Sequence, residues 1–282
     1  MSAGQQIVVG TDGSPHAASA VTWAAGEAHR LGIPLRIVTV FEQWADVRPQ
    51  DAQLHTEQEK HAMGVLAEAK SAARAQHPDL QVEAVLRVGD AVEELTHQSI
   101  GAHLVVTGSR GRGGFAGMVL GSTSRSLTIA SGAPLVIVPE QGAASGPVVV
   151  GVDGSEQSDR ALAFAASQAD SQGVALKPVR VVTEPPWFGP VETYGTWLEG
   201  IVTEAENDLE KQVGPIRTRY PDLKVNRTVM RGHPADALRE AGKDASMLVV
   251  GSRGRSTARS MLLGSISHGV LHHAPCPVAV LT

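Results

Sequence analysis

The chain repeats itself once, and that repeat limits the folds open to it more than any other feature. Ile7-Val8-Val9-Gly10-Thr11-Asp12-Gly13-Ser14 returns 141 residues later as Val148-Val149-Val150-Gly151-Val152-Asp153-Gly154-Ser155. Gly108-Ser109-Arg110-Gly111-Arg112 returns 143 residues later as Gly251-Ser252-Arg253-Gly254-Arg255, and Leu120-Gly121-Ser122 as Leu263-Gly264-Ser265. Ala133-Pro134-Leu135 has its counterpart in Cys276-Pro277-Val278. A period this long marks a duplicated domain, not the unit of a solenoid. The 282 residues are enough for two domains, each with its own core. We place them at 1–140 and 147–282, joined by the small-residue stretch Gln141–Gly146. The shift in offset puts a small length difference between about residues 41 and 78.

Within the first copy, short apolar runs alternate with helical patterns. The runs Ile7–Val9, Leu35–Val40, Val82–Val88, Leu104–Thr107 and Leu135–Val138 are nearly continuous in Val, Ile and Leu, as strands covered on both faces require. Ala17, Ala20, Val21, Ala24, Ala28 and Leu31 follow helical spacing, with Ser14 as N-cap, Pro15 at the first helical position and Gly32 as the stop. Gly173 is expected to stop the second copy of that helix, and Asp90 with Glu93 to cap a third helix. The expected fold class is α/β: two tandem doubly wound five-stranded parallel sheets, strand order 3-2-1-4-5. Ligands of such sheets lie beyond the carboxyl ends of the strands, at the switch point. Pro178 stands where the first copy has Ile37, and a proline removes a ladder donor. The seventh strand is therefore expected to begin after it, with a changed second pocket.

After the fourth strand come Gly108-Ser109-Arg110-Gly111, nine residues, and Gly121-Ser122. The second copy keeps Gly251-Ser252-Arg253-Gly254, the same nine-residue gap, and Gly264-Ser265. Phosphate binding uses backbone N–H groups approached without hindrance from side chains, and it gains from a helix N-terminus aimed at the anion. Ser122 opens the helical pattern Ser122–Ala130 and is placed to cap it or to bond a phosphate oxygen. Gly113, Gly114 and Gly117 become Ser256, Thr257 and Ser260 in the second copy, so those glycines are replaceable. The bland alternative is that the retained glycines only end a strand and start a helix; two copies with one spacing weigh against it. A Walker A loop needs Lys after its last Gly, and here Ser122 and Ser265 follow instead. Gly111-Arg112-Gly113 faintly imitates a dinucleotide fingerprint, which Ser256 breaks in the second copy.

This glycine pattern, an Asp ending strand one and Ala-Pro or Cys-Pro before the last strand resemble the ATP-binding branch of the universal stress protein family, over essentially the whole chain. The resemblance implies a nucleotide α-hydrolase-like fold and an ATP site in each domain. It implies that Asp12 and Asp153 contact the nucleoside and that Val40 and Val181 meet adenine through their backbone. Thr107 and Val250 match the position just before the loop. Gly108, Arg110, Gly111, Gly121 and Ser122 match the phosphate-contacting set, as do Gly251, Arg253, Gly254, Gly264 and Ser265. Gly10, Thr11 and Val152 beside the aspartates, and Thr123 and Ile266 after the loop serines, complete the candidate binding residues. For Asp12 and Asp153 the competing role is to satisfy nearby N–H groups at the approach to a helix. For Arg110, Arg112, Arg253 and Arg255 it is a solvated loop charge.

Several other features set bounds. A net charge of −5 gives no support for nucleic acid as main partner. The single cysteine, Cys276, makes no intrachain disulfide. Met1–Gln6 lacks the basic residues of a signal peptide, and no apolar stretch of about 18 residues is present, so a cytoplasmic location and no membrane contact are expected. His272, His273 and Cys276 invite a metal reading, but no fourth ligand follows at a recognisable spacing and the first copy lacks the cluster. No metal site is expected in the protein, other than Mg2+ carried on the phosphates of ATP. Trp187, Phe188, Tyr194 and Trp197 either pack onto the helix that follows or form a lid.

No nucleophilic constellation repeats, and no catalytic residue is assigned. Three functions fit: an ATP-dependent regulator in stress adaptation, a slow ATPase or adenylyl- or phosphoryl-transferase, and an interaction module with vestigial sites. The first is preferred, because no repeated base other than Asp12 and Asp153 lies near the loop. The apolar last strand of each copy is a pairing template. Pairing of these strands, a homodimer and an unidentified regulatory protein partner are expected.

Overall fold

The computed structural model describes residues 6–41, 52–112, 120–140, 145–184, 191–254 and 263–282. The chain forms two compact units, Met1–Gly142 and Ala143–Leu281. The first runs β1 (Ile7–Gly10), α1 (Pro15–Leu31), β2 (Leu35–Phe41), α2 (Ala52–Gln76), β3 (Val82–Val88), α3 (Ala91–Ser99), β4 (Leu104–Gly108), α4 (Ser122–Ala130) and β5 (Leu135–Val138). The second repeats the order as β6 (Val148–Gly151), α5 (Glu156–Gln172), β7 (Leu176–Val182), α6 (Val191–Arg219), β8 (Thr228–Arg231), α7 (Pro234–Ala241), β9 (Met247–Gly251), α8 (Ser265–His272) and β10 (Val278–Leu281).

Within the first unit the parallel pairs are β3 with β2, β2 with β1, β1 with β4 and β4 with β5. The second has β8 with β7, β7 with β6, β6 with β9 and β9 with β10. Each unit is thus the doubly wound parallel sheet, ordered 3-2-1-4-5. The central strands β1, β4, β6 and β9 are buried on both faces, which is why they read as unbroken apolar runs. Against them lie the alanine-rich faces of α1 (Ala17, Ala20, Ala24, Ala28) and α5 (Ala161, Ala165, Ala169), all buried. Small side chains let these helices approach their sheets closely.

The local signals act as their chemistry dictates. Ser14 caps α1 by accepting from Ala17 N, and Ser155 caps α5 by accepting from Ser158 N. Gly32 and Gly173 end those helices at φ 65° and 66°, a left-handed turn that costs glycine least. Asp90 accepts from Val92 N and Glu93 N at the start of α3.

One expectation is corrected. Strand β7 does not wait for Pro178: it runs from Leu176, with Pro178 opposite Val150 in the β6–β7 ladder. Leu176 N donates to Lys224 O, so alternation along the strand turns the nitrogen of residue 178 towards β8. The β7–β8 ladder begins at Val179 opposite Thr228, with only an isolated bridge before it. The missing donor therefore shortens β8 to four residues, where its counterpart β3 has seven, and leaves β7 whole.

Candidate functional site

In each unit, β1 or β6 and β4 or β9 end side by side, and the turns that follow them face each other across a cleft. The first-unit cleft is lined by Gly10, Thr11, Asp12, Val40, Thr107, Gly108, Arg110, Gly111, Gly121, Ser122 and Thr123. These are all the residues of that half named from sequence. The second-unit cleft brings together Val152, Asp153, Val181, Val250, Gly251, Arg253, Gly254, Gly264, Ser265 and Ile266, again all of those named. Sequence reasoning missed the walls supplied by α3 and α7, Leu95 and Leu238. A Cβ on Gly10 would lie 3.0 Å from Leu95 Cδ1, and one on Gly151 would lie 2.9 Å from Leu238 Cδ1. Both leucines belong to the repeat, so comparing the copies beyond their glycines would have found them.

Asp12 fastens the two turns together. Its Oδ1 accepts from Ser14 N at 3.0 Å, an Asx-type turn towards the α1 cap, and its Oδ2 accepts from Arg112 N at 2.8 Å across the cleft. Asp153 repeats the first bond, with Ser155 N at 2.9 Å. Gly13 and Gly154 follow at φ 80° and 83°, the left-handed turn that lets the chain reverse into its helix. Asp12 thus satisfies neighbouring N–H groups and lines the cleft at the same time.

The loop glycines are required for a reason other than a positive φ: neither Gly111 nor Gly254 is among the residues in that region. A Cβ on Gly111 would stand 2.7 Å from Asp12 Oδ2, and one on Gly254 would stand 2.5 Å from Asp153 Oδ2. Glycine is needed because the loop backbone passes directly over the aspartate.

The loop is strapped down in the same way twice. Ser109 N donates to Val138 O and Gly121 N to Ser109 O; Ser252 N donates to Leu281 O and Gly264 N to Ser252 O. From the first turn of the following helix, Ser124 Oγ donates to Gly108 O at 2.8 Å and Ser267 Oγ donates to Gly251 O at 2.6 Å. These two serines were also missed, although both copies retain them. Ser122 does not cap α4. Gly121 is the N-cap and offers no side chain, and Gly264 does the same for α8, so the first-turn N–H groups at the cleft lack a side-chain acceptor.

Arg110 and Arg253 are exposed at the rims of their clefts. Arg112 turns towards α2, its Nη1 lying 2.7 Å from His61 Nε2. Arg255, the replaceable positions Gly113, Gly114, Gly117, Ser256, Thr257 and Ser260, and Trp187 and Phe188 fall outside the described residues. Tyr194 and Trp197 sit near the start of α6 with their rings 5.9 Å apart. The Tyr194 hydroxyl donates to Glu184, and this bond, with Arg231 second, holds the Glu184 carboxyl below its usual range. Neither ring lines the second cleft.

Among the described residues, no group of three or more His, Cys, Asp or Glu is placed to hold a metal ion. His268 and His272 are ring neighbours on α8, whereas Cys276 is buried. Burial pushes the Cys276 thiol from 9.0 up to about 12 and so disfavours the thiolate that a metal would need. The native protein at pH 8 is therefore expected to react with a thiol-specific disulfide reagent at least about a hundredfold more slowly than the urea-unfolded chain. The sign also sets a stability trend. The raised folded value means this contribution is intact below pH 9 and falls away as pH rises towards 12. Fast stoichiometric labelling of the folded protein would contradict both statements.

Similarity to known proteins agrees with this architecture. The profile of the universal stress protein family matches residues 4–139 and again 145–282. A universal stress protein of Mycobacterium tuberculosis is 36% identical over 287 residues, covering 97% of this chain and 96% of that protein. One from Mycolicibacterium smegmatis is 34% identical over 288 residues, covering 98% and 96%. The crystal structure of a universal stress protein from Archaeoglobus fulgidus superposes with a TM-score of 0.70 at 23% identity, covering 98% of both chains, and so shares the fold. No helix among the described residues is long and apolar enough to cross a membrane. The chain belongs to the universal stress protein family and carries two tandem copies of its domain.

Proposed function

We propose that the chain is an ATP-binding regulator in stress adaptation, with nucleotide occupancy altering its shape or its choice of protein partner. The supporting observation is the pair of glycine-lined turns at the clefts. In both units a glycine-lined turn faces a helix whose N-terminal N–H groups have no side-chain cap, at the switch point of a doubly wound sheet. The nucleoside would lie towards Asp12 or Asp153 and the phosphates against Gly121-Ser122 or Gly264-Ser265. Arg110 and Arg253 stand at the rims to balance charge. Mg2+ would ride on the phosphates and complete its shell with water. A cytoplasmic location and a homodimer belong to the same reading.

The test is direct. Denaturing the purified protein and identifying any released small molecule should give an adenine nucleotide, or titration calorimetry on the stripped protein should show ATP binding. Turnover of added ATP should be slow, because among the described residues lining either cleft the only carboxylates or imidazoles are Asp12 and Asp153, which are engaged by the adjoining turns. Absence of both released nucleotide and binding heat would overturn the reading.

A further inference from the structure

The two clefts come from one repeated sequence but are not the same size. The first-unit cleft has a volume of about 570 Å³ and the second about 100 Å³. Clefts that hold a ligand of cofactor size run to roughly 300–1,000 Å³, so only the first is within that range. Two substitutions between copies act in this direction. Ala91 at the start of α3 is replaced by Pro234 at the start of α7, and Thr123 in the first turn of α4 is replaced by Ile266 in α8. Both changes add apolar bulk to the cleft wall.

A third substitution changes the chemistry. Thr107, at the end of β4, lines the first cleft with 5% of its surface exposed, and its Oγ1 is buried without a hydrogen-bond partner. A buried hydroxyl left unpaired costs free energy, and a ligand atom that completes the bond recovers it. The second unit has Val250 at this position, which offers no hydroxyl.

Charge differs in the same direction. In the first unit, His61 of α2 meets Arg112 beside the cleft. The helices correspond at an offset of 143, with Ala62 and Leu66 buried as Ala205 and Leu209 are, and in this register Glu204 is the sequence counterpart of His61. A carboxylate in place of an imidazole is unfavourable to a polyanion.

From these differences we propose that the two sites are functionally unequal. The first-unit cleft takes the nucleoside triphosphate, with Thr107 Oγ1 bonded to it. The second excludes a triphosphate and accepts at most a smaller ligand. This rests on the nucleotide reading above and refines it, replacing equal occupancy of the two units by one triphosphate per chain.

Titration calorimetry of the intact chain with ATP decides the matter, with a thermal melt of each variant alongside. One ATP per chain is expected. Thr107→Val should weaken it about three- to tenfold, the value of one neutral hydrogen bond. The variant should fold, because the second copy already carries Val250 in the equivalent strand, β9. Pro234→Ala combined with Ile266→Thr should open the second cleft and raise the stoichiometry to two. Two equal ATP sites in the natural chain would overturn the inequality and leave the nucleotide reading standing; Thr107→Val with unchanged affinity would overturn the Thr107 bond. No ATP binding at all would overturn both.

Discussion

Gly108→Ala is expected to destabilise the first unit by about 1–3 kcal/mol and to lower its melting temperature by several degrees. The added Cβ would lie 2.7 Å from His16 C and O and 2.8 Å from Ala17 N, which are backbone atoms of the first turn of α1. Backbone cannot step aside as a side-chain tip can, so β4 and α1 would have to separate. That separation would disturb the Ser14 cap as well, since Ala17 N is its donor. The repeat supplies a control. At Gly251 the nearest atoms to an added Cβ are Arg253 O and Gln157 Cβ, both at 3.1 Å, a contact relieved by a few tenths of an ångström. Gly251→Ala should therefore cost clearly less than Gly108→Ala. Differential scanning calorimetry of both variants would contradict this account if the costs were equal or reversed.

Asp12→Ala should produce the largest loss of ATP binding, about tenfold or more, at a stability cost of about 1–3 kcal/mol. The carboxylate accepts from Ser14 N and Arg112 N, so its removal leaves two N–H groups unpaired and frees the glycine loop after β4 from the strand-one turn. Asp12→Asn separates the two roles. Its amide oxygen can still accept from Ser14 N, but its NH2 would face Arg112 N, donor against donor. The Asn variant should keep much of the stability and still lose binding. Unchanged ATP affinity in both variants, measured by calorimetry, would show that Asp12 serves only the loop.

Gly111 and Gly254 show where sequence reasoning identified a residue and the structure supplied a further cause. Their retention in both copies marked them as needed. The reason, a loop backbone passing over the Asp12 and Asp153 carboxylates, depends on atoms about a hundred residues away. Ser122 offered two roles from sequence, and only the helix start, with Gly121 as N-cap, removed capping from them. Pro178 looked like a strand breaker because the missing donor is a local fact. Which neighbour that donor would have faced is a property of the sheet, and it faces the ladder that starts one residue later.

What the sequence determined by itself is the duplication, the strand and helix order, the helix ends at Ser14, Gly32, Asp90, Ser155 and Gly173, and the two groups of cleft residues. Those follow from short-range chemistry: hydrophobic period, capping hydroxyls and carboxylates, and glycine spacing, all readable from one chain and sharpened by its own second copy. Only the tertiary structure decided that Asp12 bridges the two turns, that Ser124 and Ser267 tie helix to strand, that Thr107 keeps an unpaired hydroxyl, and that one cleft is several times larger than the other. Those depend on distances between segments far apart in the chain. Ala91 and Pro234, or Thr123 and Ile266, differ by a few atoms in sequence, and what those atoms do depends on the wall they face.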